Sequence, residues 1–257
     1  MRIEGKTFLV TGGASGLGAA TVEALVGKGA AVVVADRNSD ADAALRQRYG
    51  SAIEFIQADV TNEDSIVKAL DLAVGLSGTF AGVVGCAGVA PAERIFGRNG
   101  IHGLQSFRAA VDVNLVGTFN VLRVAADRLI KRDRTGGGEE ENGVIINTAS
   151  VAAYDGQIGQ VAYAASKGGV VALTLPAARE LARHSIRVVT LAPGIMETPM
   201  LLAMPDEVRA SLAATVPFPS RLGKPQEFAS LVCHVIENPY LNGEVIRLDG
   251  AIRMAAK

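Results

Sequence analysis

Three side chains are spaced for proton transfer. Ser150 closes the run Gly-Val-Ile-Ile-Asn-Thr-Ala-Ser (143–150), and Tyr163 and Lys167 bracket Tyr-Ala-Ala-Ser-Lys (163–167). A free phenol titrates at about pH 10 and is a poor acid or base at neutrality. In a helix, residues four apart share a face, so Lys167 is expected one turn from Tyr163 on the same side. An ammonium placed there favours phenolate over phenol. Moving a phenol by about three pH units takes roughly 4 kcal/mol, within reach of two cations in a partly desolvated cleft. Tyr163 then takes a proton from an alcohol or gives one to a ketone. Ser150 hydrogen-bonds the reacting oxygen and stabilises its developing charge. A hydrolase reading of Ser150 is poor, because His102, His184 and His234 stand in no recognisable triad context.

A Tyr-x3-Lys pair alone is commonplace on helix surfaces, and its weight comes from the elements that must position it. Val-Thr-Gly-Gly-Ala-Ser-Gly-Leu-Gly (10–18) joins the first strand to a helix expected to run to about Lys28. Gly12, Gly16 and Gly18, with Ser15 and Leu17 among them, allow a tight turn and close approach of a pyrophosphate, whose charge the helix N-terminus favours. The spacing is G-x3-G-x-G, not the commoner G-x-G-x-x-G. Asp36 ends the second strand, where an acid accepts from a ribose 2′-hydroxyl and repels a 2′-phosphate. With Arg37 the adjacent cation, this still predicts NAD over NADP. Asp59 and Val60 close the third strand and Cys86, Ala87 and Gly88 the fourth. Asp59 is placed to meet an adenine amine, with Val60 and Ala87 along the adenine plane. Cys86 reads as a small buried hydrophobe and not as a nucleophile. An oxidised nicotinamide on this cradle is the second cation beside Tyr163.

Seven short apolar runs, at 7–10, 31–36, 53–59, 82–88, 143–150, 186–194 and 243–250, alternate with helix-length amphipathic segments. This pattern predicts the α/β class: a Rossmann-type doubly wound sheet of seven parallel strands, helices on both faces, in one domain spanning 1–257. Two connections are long, 89–108 and 195–222, and both leave carboxyl ends of strands, where open α/β sheets bind ligands. The second contains Met196, Met200, Leu201, Leu202, Met204 and Phe218, which suit either a core helix or an adaptable apolar lid. The acidic, glycine-rich stretch 133–143 reads as a solvated loop.

Hydrophobic residues make up 49% and charged residues 20% of 257, with net charge −1, so the chain reads as globular and not disordered. That balance gives no electrostatic reason to expect a nucleic acid or an anionic membrane as partner. No unbroken apolar run reaches the ~20 residues of a membrane span, and the start reads directly into a strand without a leader. Cys86 and Cys233 make neither a disulfide framework nor a metal-ligand spacing, so no metal is expected and a reducing cytoplasm is the simplest setting.

These residues together resemble the short-chain dehydrogenase/reductase family. The resemblance rests on the glycine turn, Asp36, Asp59-Val60, Cys86-Ala87-Gly88, Asn114 in Asp-Val-Asn-Leu-Val-Gly-Thr-Phe-Asn, Ser150, Tyr163 and Lys167, Pro193-Gly194 and Thr198. It implies a catalytic tetrad of Asn114, Ser150, Tyr163 and Lys167, in which Asn114 holds a water behind the lysine. From its own surroundings in the sequence, Asn114 reads only as a helix-surface amide. The resemblance also implies that Pro193, Gly194, Met196 and Thr198 hold the nicotinamide carboxamide. Many members read Asn-Asn-Ala-Gly where this chain has Gly85-Cys86-Ala87-Gly88. Within the family, the stretches 112–123, 143–169, 216–223 and 237–254 resemble the type 2 short-chain 3-hydroxyacyl-CoA dehydrogenases. That implies reversible NAD-linked oxidation of a short or 2-methyl-branched 3-hydroxyacyl-CoA, and a homotetramer with the small-residue helix after Tyr163 at an interface. Gln157 and Gln160 then either bond an acyl thioester carbonyl or only order their loop, and Arg94, Arg98 and Arg221 are candidates for coenzyme A phosphates. Three other readings stand beside it: a hydroxysteroid or other secondary-alcohol dehydrogenase, a 3-oxoacyl-carrier-protein reductase, and a cofactor-binding scaffold for a protein or RNA-processing partner.

Overall fold

The computed structural model describes every residue except Ser77, Asn99, 133–140 and Lys257, and of Met200 only the backbone. The expected loop at 133–143 therefore lies mostly outside the described residues. In chain order the elements are β1 (Lys6–Thr11), α1 (Gly16–Gly27), β2 (Ala31–Asp36), α2 (Asp42–Tyr49), β3 (Ile53–Gln57), α3 (Glu63–Gly75) and β4 (Thr79–Gly85). Then come β5 (Phe96–Gly97), β6 (Gly100–Ile101), α4 (Leu104–Val111), α5 (Gly117–Lys131), β7 (Gly143–Thr148), α6 (Val161–Leu181) and β8 (Ile186–Pro193). The last four are α7 (Pro199–Leu202), α8 (Asp206–Ala214), α9 (Pro225–Glu237) and β9 (Val245–Leu248).

All seven apolar runs become strands of one parallel sheet, in the order β3-β2-β1-β4-β7-β8-β9. Their near-continuous apolar character follows from burial on both faces. Side chains alternate between the two layers, as the period of a strand requires. Leu9, Val33, Val83, Ile145 and Val188 meet α3, α5 and α6 on one face. Phe8, Val10, Val32, Val34 and Ile146 meet Leu25 of α1 and Phe228 and Val232 of α9 on the other. A small antiparallel hairpin, β5 with β6, lies in the long connection after β4.

Two helical stretches, Leu104–Lys131 and Val161–His184, are by length and composition long and apolar enough to cross a membrane. Counting unbroken apolar runs did not expose them, because glycines and single polar residues interrupt the runs while charges are few. In the fold both lie along the sheet, with Leu122, Ala125 and Leu129 of the first and Ala178 and Leu181 of the second buried in the core.

Candidate active site

Strand order reverses at β1, and the carboxyl ends of β1 and β4 border a cleft of about 540 Å³. Such switch points are where doubly wound sheets bind ligands. At one end the backbone itself is the wall. Gly12 has φ +65°, and a Cβ there would lie 2.7 Å from the Ala87 nitrogen. A Cβ on Gly18 would lie 2.1 Å from the Gly12 oxygen. Only glycine allows the end of β1, the start of α1 and the end of β4 to meet this closely. Ser15 precedes α1 in an extended conformation and makes no side-chain bond to the helix's first N–H groups. With Gly16, Leu17 and Gly18 on the cleft wall, those donors are available to an anion.

The next walls are strand-end acids. Asp36 Oδ2 accepts from Ala14 N at 3.0 Å and Oδ1 from Asn38 N at 3.0 Å, which fixes the carboxylate beside the glycine turn. Asp59 Oδ1 accepts from Thr61 N at 2.9 Å and from Thr61 Oγ1 at 2.8 Å. The Thr61 backbone N–H, then its hydroxyl and Arg37, hold the Asp59 carboxyl below its ordinary pKa against the opposing effect of burial. Val60, Cys86, Ala87 and Gly88 line the same cleft. Burial pushes the Cys86 thiol up to about 11, which suits an inert hydrophobe and not a nucleophile. Pro193, Gly194, Met196 and Thr198 line the far wall at the end of β8.

Ser150, Tyr163 and Lys167 converge between these walls. Ser150 Oγ accepts from Ala152 N at 3.1 Å and lies on the cleft wall beside Tyr163. Tyr163 stands in the first turn of α6. One turn on, Lys167 Nζ donates to the Thr148 carbonyl at 2.7 Å and lies 5.9 Å from the Tyr163 ring centroid. Desolvation lowers Lys167 from 10.5 to about 8. The expectation of a phenol drawn down by Lys167 is not met in the protein alone. Burial raises the Tyr163 pKa, and the Ser150 hydroxyl is the influence that opposes it. Depth outweighs an ammonium held at this distance by a carbonyl.

Asn114 corrects the surface-amide reading, since it is fully buried. It sits in a π-helical turn, Asp112–Val116, between α4 and α5. Such turns rotate a side chain out of the regular helical face. Oδ1 accepts from Val89 N at 2.8 Å, while Nδ2 donates to Val89 O at 2.8 Å and to Ser166 Oγ at 2.9 Å. Ser166 Oγ donates to Tyr163 O at 2.7 Å. Asn114 therefore lies behind the cleft wall and joins α6 to the segment after β4. Sequence reading missed Thr148, Val89 and Ser166, because two of the three act through backbone atoms that carry no residue-type signal.

The substrate candidates fall elsewhere. Gln157 and Gln160 are not on the cleft wall: Gln157 Nε2 donates to Ala255 O at 3.1 Å, and Gln160 Oε1 accepts from Gln157 N at 3.1 Å. Their side chains order the loop. Arg221 makes a two-pronged pair with Glu227 at 2.9 and 2.6 Å, which holds the Glu227 carboxyl at about 2. Arg94 and Arg98 are exposed. Of the apolar residues singled out in the segment after β8, Met196, Leu201 and Met204 reach the cleft. Leu202 is 48% and Phe218 83% exposed, so the segment is a surface cover and not a core helix.

The doubly wound sheet, the glycine cradle at its switch point and the Ser150–Tyr163–Lys167 cluster beside it fit a dinucleotide-dependent oxidoreductase. The family model of the short chain dehydrogenases matches residues 6–208, and the chain belongs to that family. It is 51% identical over 254 residues to the human 3-hydroxyacyl-CoA dehydrogenase type-2, covering 98% of this chain and 97% of that protein. The Drosophila melanogaster protein of the same name is 48% identical, covering 98% and 99%. The crystal structure of a 3-hydroxyacyl-CoA dehydrogenase type-2 from Mycobacterium avium superposes with a TM-score of 0.93 at 43% identity, covering 98% of each chain. Family and fold imply a nicotinamide dinucleotide. The glycine cradle, into which side chains at 12 and 18 would intrude, fits one.

Proposed function

We propose that this chain catalyses reversible NAD-linked oxidation of a short 3-hydroxyacyl-CoA to the 3-oxoacyl-CoA. The convergence of Ser150, Tyr163 and Lys167 beside the dinucleotide cleft carries the reaction type. The names of relatives about half identical over almost the whole chain support the substrate class. Asp36, the anchored acid at the end of β2, supports NAD. When bound, the nicotinamide supplies a hydride acceptor or donor and, in its oxidised form, a positive charge beside the ring.

The chain's own residues handle the proton. Tyr163 Oη takes it from the substrate hydroxyl in oxidation and returns it to the carbonyl oxygen in reduction. The raised pKa keeps the phenol protonated in the protein alone, the form that reduction needs. Ser150 Oγ, held by Ala152 N, donates to the reacting oxygen as charge develops on it. Lys167 brings a fixed positive charge to the rear of the site through Thr148 O. Asn114 keeps Val89 and α6 in register, so that the cleft walls do not drift.

The homotetramer belongs to the same proposal. Ala165, Ala172 and Leu175 are exposed along α6, a Cβ on Gly168 would meet nothing within 4 Å, and Phe119 of α5 is 53% exposed. Sedimentation that finds only monomer at micromolar concentration overturns it. The test of substrate class is NADH oxidation with acetoacetyl-CoA, its 2-methyl form and a ketosteroid. Turnover of both thioesters is expected, and turnover of the steroid alone transfers the assignment to hydroxysteroids.

A further inference from the structure

Arg247 on β9 stands outside the cleft wall, yet it grips the segment between Ser150 and Tyr163. Its Nη2 donates to Asp155 Oδ2 at 2.6 Å and to Ile252 O at 3.0 Å, and its Nε donates to Asp249 Oδ2 at 2.7 Å. The guanidinium carbon lies 5.1 Å from the Tyr154 ring centroid. Arg247 and Asp155 are about one-fifth exposed at the side chain and Asp249 only 8%. Two acids, a carbonyl and a ring face on one planar cation form a geometry that a lysine does not reproduce.

Each contact leads toward the reacting residues. A Cβ on Gly194, in the cleft wall, would lie 2.9 Å from Asp249 Cα, so the acid backs directly on that wall. Asp155 opens the loop 155–160. Ile158 N donates to Ala256 O at 3.0 Å, and Gly159 O accepts from Glu93 N at 2.8 Å. Gly156 packs so that a Cβ there would lie 3.0 Å from Ala164 Cβ, next to Tyr163 in the first turn of α6. Movement of the loop is thereby passed to the helix turn that carries the phenol.

We propose that Arg247 is a positioning residue: by pinning Tyr154, Asp155 and Ile252 together it sets the loop 155–160, which joins Ser150 to Tyr163, against that pair. This rests on the dehydrogenase reading above. A purely structural ion pair would lower stability and active fraction alike. A positioning residue instead separates substrate affinity from cofactor affinity.

The experiment compares Arg247→Gln, Arg247→Lys and, as control, Arg253→Gln, which shares Asp249 but does not reach Asp155. NADH affinity is read by fluorescence titration, KM and kcat with acetoacetyl-CoA, and the loop by hydrogen–deuterium exchange at 154–160. Expected for Arg247→Gln is an unchanged NADH affinity, an acetoacetyl-CoA KM raised about fivefold or more, and faster exchange in the loop. Arg247→Lys falls between it and wild type, and Arg253→Gln matches wild type. If Arg247→Gln does not fold, the isosteric Asp155→Asn takes its place. Wild-type KM and wild-type exchange overturn the proposal, as does a kcat that falls with melting temperature at constant KM. Failure of the wild type to reduce acetoacetyl-CoA refutes the substrate reading instead, and the exchange result then decides the role of Arg247 alone.

Discussion

Lys167 Nζ lies 5.9 Å from the centre of the Tyr163 ring and is tethered at 2.7 Å to the carbonyl of Thr148. The ammonium is thus a fixed rear charge and not a direct partner of the phenol. Burial at this place shapes both groups, raising Tyr163 and lowering Lys167 to about 8.

Lys167 makes stability depend on pH in a particular sense. Its folded pKa of about 8 lies below the ordinary 10.5, so between those values the unfolded chain binds more protons. Stability from this group therefore rises as pH increases through that window. Cys86, raised from 9.0 to about 11, acts in the opposite sense above pH 9, so wild type must be compared with a variant. Between pH 7.5 and 9.5 the wild type should gain about 2 kcal/mol relative to Lys167→Met. Denaturant unfolding of both proteins at the two pH values checks this; a constant difference contradicts it.

Gly18→Ala should close the anion cradle. Its methyl would lie 2.1 Å from the Gly12 oxygen, so the turn must shift. Overpacking of this kind corresponds to about 10–100-fold weaker NADH binding. Fluorescence titration measures it. The sheet core lies elsewhere, so far-UV circular dichroism should match wild type.

Asp36 should set cofactor choice. A 2′-phosphate beside its anchored carboxylate meets like charge, so kcat/KM with NADH should exceed that with NADPH on the order of 100-fold. Asp36→Ala should narrow the ratio, chiefly through the KM for NADPH. Equal use of both cofactors by wild type would reject the assignment.

Much of this site was legible because it is local. The glycine turn is a strand–helix junction with a spacing of six residues, and Tyr163 and Lys167 are related by one helical period. Asp36 is found by following an apolar run to its end. What escaped depends on distant chain or on backbone. Asn114 is buried by a π turn that no spacing announces. Gln157 looks free until Ala255, 98 residues away, takes its amide. The direction of the Tyr163 shift depends on how deep the hydroxyl lies, which no motif encodes.

Asn114→Ala should damage stability more than chemistry in the folded fraction. It strips partners from the Val89 N–H and carbonyl, at about 1–3 kcal/mol each. For a chain of this length that total, about 2–6 kcal/mol, should lower the melting temperature by about 5–20 °C. Calorimetry gives the value, and an unchanged midpoint would mean that water replaces the amide.

The central claim is that the Tyr163 hydroxyl carries the proton. Tyr163→Phe removes one oxygen and leaves the ring. The measurement is NADH oxidation with saturating acetoacetyl-CoA, alongside NADH binding, for wild type and variant. The account predicts unchanged NADH affinity and a kcat lower by about 10²–10⁴-fold. Equal kcat in the two proteins would contradict it.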